Sequence, residues 1–192
     1  MISHTHKFII ITPPKTGSVS ITSSLLKYGD YTKTVRDRRK KDCFDYNDEF
    51  GRESKHTPIR KMHRLWDQDK HGQFNDYYKI GTVRNPWERV VSRHSWSRGD
   101  NFLFCVRKLT KPCCNYFSLN NNIIVNNYIR FESIQQDFDI MCDKIGLPRE
   151  TLPHRNKTKH KHYTEFYNDE TRQIVAERFA KDIEHFGYKF GE

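Results

Sequence analysis

A run of apolar residues near the start of the chain, closed by two prolines, constrains the fold most. Residues 7–12 read KFIIIT, and their apolar side chains are continuous rather than alternating, which is typical of a strand buried in a parallel sheet. Pro13 and Pro14 end this strand, because proline lacks the N–H that a sheet requires. A helix is predicted to follow, with Ser18 or Ser20 as its cap. The chain thus opens with a strand, a loop and a helix.

The same order of elements recurs later in the chain. Residues 77–83 read YYKIGTV and predict a second strand, and Pro86 suits the first turn of a helix that runs to about Trp96. Both Trp87 and Trp96 project from this amphipathic helix and are expected in the core. Residues 127–131 read NYIRF and predict a third strand. Strands that alternate with helices indicate an α/β fold with a parallel sheet.

The rest of the chain divides into helical and loop-like segments. Three segments place apolar residues on one face at helical spacing and predict helices: 57–69, 132–145 and 169–186. Two polar segments without such a period are expected to hold little regular structure: 29–54 and 99–122. Because no linker or repeat interrupts the 192 residues, we expect a single domain over residues 1–192.

Composition narrows the class of protein and the kind of partner. The chain has 34 Lys and Arg against 24 Asp and Glu, and its net charge of +10 indicates an anionic partner. No apolar run approaches the roughly 18 residues that cross a membrane, and the N-terminus lacks the pattern of a secretory signal. Five cysteines without a CxxC pair indicate reduced thiols. We therefore expect a soluble, cytoplasmic protein without a membrane span or a bound metal.

The first loop, residues 13–18, has the composition of an anion-binding loop. Gly17 allows close approach of the backbone, Lys15 supplies a positive charge, and Thr16 and Ser18 supply hydroxyl donors. The free N–H groups at the start of the next helix add hydrogen-bond donors and a partial positive charge to this loop. The loop is not a Walker A motif, because its lysine precedes the glycine. An ordinary turn with an exposed lysine is the alternative.

The second loop, residues 82–92, follows the second predicted strand. Arg84 stands at the end of that strand, and Ser92 shares a helix face with Arg89, three residues before it. A guanidinium and a hydroxyl near the start of a helix suit a phosphate. Because the carboxyl ends of parallel strands meet at one edge, both loops are expected in one site. A surface arginine beside a helix-capping asparagine is the alternative.

The two loops, in this order, resemble those of the sulfotransferases that use 3′-phosphoadenosine 5′-phosphosulfate (PAPS). Residues 14–20 read PKTGSVS, similar to the PKTGTTS loop of that family, and residues 84–96 read RNPWERVVSRHSW, similar to its RxPxxRxxSxxxW segment. Residues 126–134 resemble the family's third strand and the helix after it. Residues 152–157 and 182–188 resemble its carbohydrate-sulfotransferase branch. The resemblance implies a P-loop-like, three-layer α/β fold with a short central parallel sheet flanked by helices.

The resemblance also implies an activity and the residues that carry it. A sulfuryl group moves from PAPS to a hydroxyl or amine acceptor, with a carbohydrate favoured, and leaves adenosine 3′,5′-bisphosphate without a metal. The residues implied for donor binding are Pro14, Lys15, Thr16, Gly17, Ser18, Val19, Ser20, Arg84, Ser92, Arg130, Asn156 and Lys157. Lys15 is also expected to neutralise the leaving phosphate. His56 is the expected general base, and Glu53, His63 and His154 are the alternatives.

Two other functions remain open on the sequence. A P-loop kinase of small molecules would carry the GK[ST] motif and an aspartate closing its second strand, where this chain has Arg84. A nucleic-acid-binding module is suggested by the net charge and by the basic residues 36–41, although no known signature of such a module is present. We therefore expect a small-molecule or carbohydrate acceptor and no nucleic-acid partner.

Overall fold

A computed structural model describes residues 1–30, 56–97, 101–107, 111–153 and 161–192, together with the backbone of 32–35 and 44–47. Several sequence predictions lie outside these residues: those for Glu53, His154, Asn156, Lys157 and the basic residues 36–41. The described strands are, in chain order, β1 (Ile2–Ser3), β2 (Phe8–Ile11), β3 (Thr32–Val35), β4 (Phe44–Asn47), β5 (Tyr78–Val83), β6 (Ser118–Leu119), β7 (Asn122–Ile123) and β8 (Asn127–Arg130). The described α-helices are α1 (Ser18–Ser24), α2 (Ile59–Arg64), α3 (Gln68–His71), α4 (Pro86–Trp96), α5 (Phe102–Arg107), α6 (Cys114–Phe117), α7 (Ile134–Ile145), α8 (Asp169–Arg178) and α9 (Ala180–Phe186).

The central sheet has the strand order β1-β2-β5-β8. Strands β2, β5 and β8 are parallel, and the two-residue β1 pairs with β2 in the antiparallel direction at the edge. Ile11 lies beside Gly81, and Val83 lies beside Arg130. The carboxyl ends of the three parallel strands therefore meet at one edge of the sheet, as the sequence predicted.

Helices cover both faces of this sheet and give the three layers that the sequence predicted. On one face, α1 and α7 pack against the sheet, in a cluster that contains Ile10, Ile21, Ile80, Phe138 and Met141. On the other face, a larger cluster draws on α2, α4, α6, α8 and α9. Successive residues of a strand point to opposite faces, so β2 contributes to both clusters and must be apolar throughout.

The start of α1 differs from the prediction. Gly17, not Ser18 or Ser20, is the residue before its first turn, with a φ of 81° in the left-handed region, and no side chain caps the helix. Because no side-chain oxygen caps α1, its first backbone N–H groups need other hydrogen-bond partners.

Both segments expected to be loop-like contain regular elements. Strands β3 and β4 form an antiparallel hairpin within residues 29–54. Within 99–122 lie α5, α6 and a hairpin of β6 and β7, which turns at Asn120 and Asn121 with φ values of 50° and 65°. These elements are two to six residues long. A segment of that length shows too little period to be recognised in sequence, and its stability comes from packing of residues such as Val106 and Phe117.

Two predicted helices are interrupted. The segment 57–69 forms α2 and then α3, and Leu65 between them is 46% exposed. The segment 169–186 breaks at Phe179, a fully buried residue with φ −107° and ψ 20°, which separates α8 from α9. The break redirects the chain so that Asp182 reaches the first turn of α6. In the described parts of the chain, no helix is long and apolar enough to cross a membrane.

Candidate functional site

The first loop is held against the neighbouring strand through Thr16. This side chain is fully buried, and its hydroxyl donates to the Pro13 carbonyl at 2.7 Å. The same oxygen lies 2.5 Å from the hydroxyl oxygen of Thr82 in β5. The hydroxyl that the sequence assigned to a ligand is therefore used inside the protein. A contribution of Thr16 to anion binding through its backbone N–H stays a prediction.

A side chain at position 17 would crowd the residues that follow β8. A Cβ atom built on Gly17 would lie 2.7 Å from Cδ1 of Ile134 and 3.1 Å from Cδ2 of Phe131. Its φ of 81° is also a backbone conformation that residues other than glycine adopt only at a cost in free energy. Lys15, two residues earlier, also has a positive φ of 71°. The loop is thus a compact turn pressed against the chain that follows β8.

Arg89, a buried residue of α4, binds the first loop. Its side chain is 1% exposed, and its Nε donates to the Pro14 carbonyl at 2.8 Å. One Nη donates to the Lys111 carbonyl at 3.2 Å and to Sγ of Cys113 at 3.3 Å. From the sequence, Arg89 was expected only to share a helix face with Ser92. The available signal was an arginine directly before two buried valines, on the buried face of an amphipathic helix.

Arg84 connects the second loop to the first. It follows β5, is 7% exposed, and donates to the Lys15 carbonyl at 3.4 Å and to a carboxylate oxygen of Glu88 at 2.9 Å. Its guanidinium lies over the ring of Phe131, 3.7 Å from the ring centre. Its Nε is buried and has no hydrogen-bond partner among the described residues. A buried, unsatisfied donor on a cation is an unfavourable arrangement that an anion would relieve.

Ser92 faces the first loop from α4. Arg89 contacts the loop three residues before it, and Trp96 contacts Lys15 four residues after it, with the lysine Nζ 5.5 Å from the indole centre. Residues at this spacing share a helix face, so Ser92 lies on the side of α4 that faces the loop. Trp96 is 57% exposed, and the prediction that it belongs to the core is wrong. It stands in the last turn of α4, beyond the apolar cluster, and its ring packs against cationic side chains.

His56 contacts the start of the first loop. Its Nδ1 lies 2.6 Å from the carbonyl oxygen of Thr12, and the side chain is half-buried. A carbonyl only accepts hydrogen bonds, so Nδ1 carries the proton and donates. The neutral ring therefore keeps its lone pair on Nε2, the form that a general base needs. His63, one of the alternatives, is exposed and lies on α2 with its ring 5.1 Å from that of Phe74.

Arg130 lies at the same edge of the sheet, but its guanidinium has protein partners. It donates to the Phe186 carbonyl at 3.1 Å and lies 5.4 Å from the centre of the Tyr188 ring. Glu132, two residues later, accepts from the Asn85 N–H at 2.6 Å. Its donor-binding role stays a prediction.

The structure brings most of the described candidate residues together. Both loops and His56 meet at the carboxyl edge of the sheet, and the first turn of α1 supplies the remaining candidates, Ser18, Val19 and Ser20. Lys15 and Arg84 give this edge a positive potential, which Glu88 offsets only in part. An edge with lysine and arginine side chains, the start of α1 and the His56 imidazole suits an anionic ligand and a proton transfer.

Comparison with known proteins gives one family. A family model described as the sulfotransferase family matches residues 1–96, a segment that includes both loops and His56. An uncharacterized protein of Archaeoglobus fulgidus is 30% identical over 89 residues, which cover 40% of this chain and 74% of that protein. No solved structure matches the chain.

Proposed function

The chain belongs to the sulfotransferase family, and on that basis we propose that it transfers a sulfuryl group from PAPS to a hydroxyl or amine acceptor, with a carbohydrate favoured. The observation that carries the proposal is the junction of the two loops. Arg84 donates to the Lys15 carbonyl, and Arg89 donates to the Pro14 carbonyl. Two anion-binding loops held this close suit one ligand with two phosphates.

The first loop holds the 5′ end of the donor in this proposal. The Lys15 ammonium neutralises charge on the phosphate that leaves, and the N–H groups around Gly17 and the first turn of α1 donate to its oxygens. Thr16 and Val19 complete this subsite through their backbone N–H groups and Ser20 through its N–H or hydroxyl, while Pro14, which has no N–H, contributes only its ring. Because the loop shape is fixed by packing, these donors need no rearrangement when the ligand binds.

The second loop holds the 3′-phosphate, the group that distinguishes PAPS from ATP. Arg84 offers its unsatisfied Nε to that phosphate, and Ser92 offers its hydroxyl from the loop-facing side of α4. Phe131 keeps the guanidinium plane in place beneath the ligand. We include Arg130, Asn156 and Lys157 as further donor contacts on the family resemblance alone.

Transfer then needs one base and one leaving group. The acceptor oxygen forms a bond to sulfur while the bond between sulfur and the bridging phosphate oxygen breaks, and Nε2 of His56 takes the acceptor's proton. The products are the sulfated acceptor, adenosine 3′,5′-bisphosphate and a protonated histidine that later returns its proton to water. As in phosphoryl transfer, positioning and charge stabilisation supply most of the rate, so no metal is required by this scheme.

Thermal unfolding in the presence of nucleotides tests the proposal. A ligand at about 100 times its Kd stabilises a protein by about 2.7 kcal/mol, which raises Tm by roughly 5–10 °C at this chain length. We expect that rise with adenosine 3′,5′-bisphosphate and none with ATP and Mg²⁺. The Lys15→Ala variant should lose it, and Lys144→Ala, with its lysine exposed on α7, should keep it. Stabilisation by ATP and Mg²⁺ alone would support a kinase instead.

A further inference from the structure

The segment 187–192, which follows α9, lies against the start of α4. Nδ2 of Asn85 donates to the Lys189 carbonyl at 3.1 Å and to the Glu192 carbonyl at 3.3 Å. Asn85 directly follows Arg84, and its side chain is 1% exposed. A buried side chain of the second loop is therefore held by residues that lie 104 and 107 positions later in the chain.

Asn85 uses both ends of its amide. Its Oδ1 accepts from the N–H groups of Trp87 at 3.1 Å and Glu88 at 3.5 Å, and so caps α4. Its Nδ2 binds the segment 187–192. Aspartate caps helices equally well but has no donor, and the hydroxyl of serine or threonine has a single hydrogen. Asparagine at this position therefore serves a second task besides the cap.

The segment 187–192 is anchored independently of Asn85. The ring of Phe190 packs edge-on against those of Tyr163 and Tyr167, with centres 5.7 Å and 5.5 Å away. The Tyr163 hydroxyl donates to the Glu192 carbonyl at 3.1 Å and accepts from the Gly191 N–H at 2.6 Å. The segment is thus fixed to the 3₁₀ turn before α8 and gives Asn85 a fixed partner.

The backbone of Asn85 is held from the same direction. Its N–H donates to one carboxylate oxygen of Glu132 at 2.6 Å, and the Tyr188 hydroxyl donates to the other at 3.4 Å. Tyr188 belongs to the segment 187–192 and is buried. Both the side chain and the N–H of Asn85 are therefore linked to this one segment.

The placement of Arg84 depends on the peptide that joins it to Asn85. The Arg84 guanidinium lies over Phe131, 3.7 Å from the ring centre, and its Nε has no hydrogen-bond partner among the described residues. Phe131 directly precedes Glu132 in one 3₁₀ turn. Because hydrogen bonds weaken steeply with misalignment, a shift of this peptide would turn Nε away from a bound phosphate.

We propose that Asn85 is a positioning residue for the 3′-phosphate. It acts through Arg84, which it holds in place by joining the second loop to the segment 187–192. The proposal rests on the proposed function for the identity of the ligand, and on the hydrogen bonds of Asn85 for the positioning. Its consequence is that the preference for adenosine 3′,5′-bisphosphate over adenosine 5′-monophosphate depends on a residue that contacts neither nucleotide.

Calorimetric titration of Asn85→Ser with these two nucleotides tests the proposal. Serine keeps an oxygen that caps α4 and adds no charge, but it lacks the Nδ2 that binds the segment. We expect the ratio of the two affinities to fall about five- to tenfold, with the monophosphate affinity changed less than twofold. Partial unfolding would weaken both nucleotides by the same factor and leave the ratio unchanged, so the ratio separates positioning from stability.

Two further variants complete the test. Phe190→Ala loosens the segment 187–192 from its other side and leaves the second loop intact, so the ratio should fall about two- to fivefold. The matched control is Asn168→Ser, the same substitution at the cap of α8, where the side-chain oxygen accepts from the Thr171 N–H at 2.8 Å. The control should keep the ratio of the wild type.

Hydrogen exchange of the segment 187–192, measured by mass spectrometry without nucleotide, gives a readout that is independent of the proposed function. Exchange should be faster in Asn85→Ser and in Phe190→Ala than in the wild type and in Asn168→Ser. Faster exchange with an unchanged affinity ratio would overturn the positioning role, and unchanged exchange in Asn85→Ser would show that Asn85 does not hold the segment. Failure of the proposed function is recognised separately, because the wild type itself would then show no preference for the bisphosphate, and the positioning role would be overturned with it.

Discussion

At the scale of single residues, the first loop packs tightly around Gly17. In Gly17→Ala, the added methyl group meets Ile134 at 2.7 Å and stands on a backbone with a φ of 81°. We expect a loss of about 2–4 kcal/mol of unfolding free energy, from strain of roughly 1 kcal/mol and overpacking of about 1–3 kcal/mol. Urea denaturation measures this loss.

Gly146 provides the control for backbone strain. Its φ of 71° and ψ of 31° lie in the same left-handed region as those of Gly17, but nothing lies within 4 Å of an added Cβ. Gly146→Ala should therefore cost only the conformational part, about 1 kcal/mol. The double variant Gly17→Ala/Ile134→Val, which lacks the clashing Cδ1 atom, should recover part of the loss. Equal costs for the two glycine substitutions would contradict the close packing described for this loop.

The role of His56 is tested by substitution with asparagine. His56→Asn keeps a side-chain N–H at the position of Nδ1 for the Thr12 carbonyl but has no group that takes a proton at neutral pH. We expect normal binding of the bisphosphate and a fall in transfer rate of about 10²–10⁴-fold, with loss of the acid limb of the pH–rate profile. The assay follows labelled sulfuryl from PAPS to an oligosaccharide acceptor. Full activity in this variant would exclude His56 as the base.

The sequence predicted which residues lie at the site better than it predicted what their side chains contact. The sequence indicated that Lys15, Gly17 and Arg84 lie at one edge, because each follows a predicted strand, and the structure places them there. It did not indicate that Thr16 pairs with Thr82, or that Arg89 is buried beneath the loop. Those contacts join positions 66 and 75 residues apart in the chain. Local spacing carries no information about partners at that distance.

At the scale of elements, Asp182 fixes α9 against α6. In Asp182→Asn, an amide replaces one of two acceptors that receive backbone N–H groups, and its own N–H faces a donor. The loss of a buried, charge-assisted acceptor should cost about 1–3 kcal/mol of unfolding free energy, measured by urea denaturation. Asp143→Asn, which removes an exposed carboxylate paired with Arg149, should change stability little. Equal effects would show that Asp182 does not join these helices.

Long elements could be predicted and short ones could not. Strand β5 and helix α4 match their predicted bounds closely because continuous apolar residues and Pro86 mark them. The helices α5 and α6 were missed because their stability comes from burial of residues such as Val106 and Phe117 against distant parts of the chain. The break at Phe179 was missed for the same reason, since the local pattern there is helical on both sides.

At the scale of the whole molecule, the two apolar clusters share one sheet, and we propose that they unfold as one unit. Cys113 lies in one cluster and Cys142 in the other. Burial raises the pKa of the Cys113 thiol to about 12 and that of Cys142 to about 11, so both stay protonated at pH 8. Because the thiolate is the nucleophile, neither should react with iodoacetamide until the protein unfolds.

Alkylation across a urea series, followed by peptide mass spectrometry, tests this cooperativity. On unfolding, both thiols return to their ordinary pKa, so their thiolate fraction at pH 8 rises and both become reactive. We expect the two cysteines to become reactive at the same urea concentration. Two separate midpoints would mean that the faces of the sheet unfold independently, and that residues 1–192 are not a single cooperative domain.

The central claim is that the two loops hold two phosphates of one nucleotide. Calorimetric titration with adenosine 3′,5′-bisphosphate and with adenosine 5′-monophosphate measures this directly, because the two ligands differ only in the 3′-phosphate. We expect the bisphosphate to bind about 100-fold more tightly. Arg84→Lys and Ser92→Ala should each reduce this ratio, whereas Ser95→Ala, whose hydroxyl donates to the Val91 carbonyl at 3.0 Å, should leave it unchanged. Equal affinities of the wild type for the two nucleotides would contradict the claim.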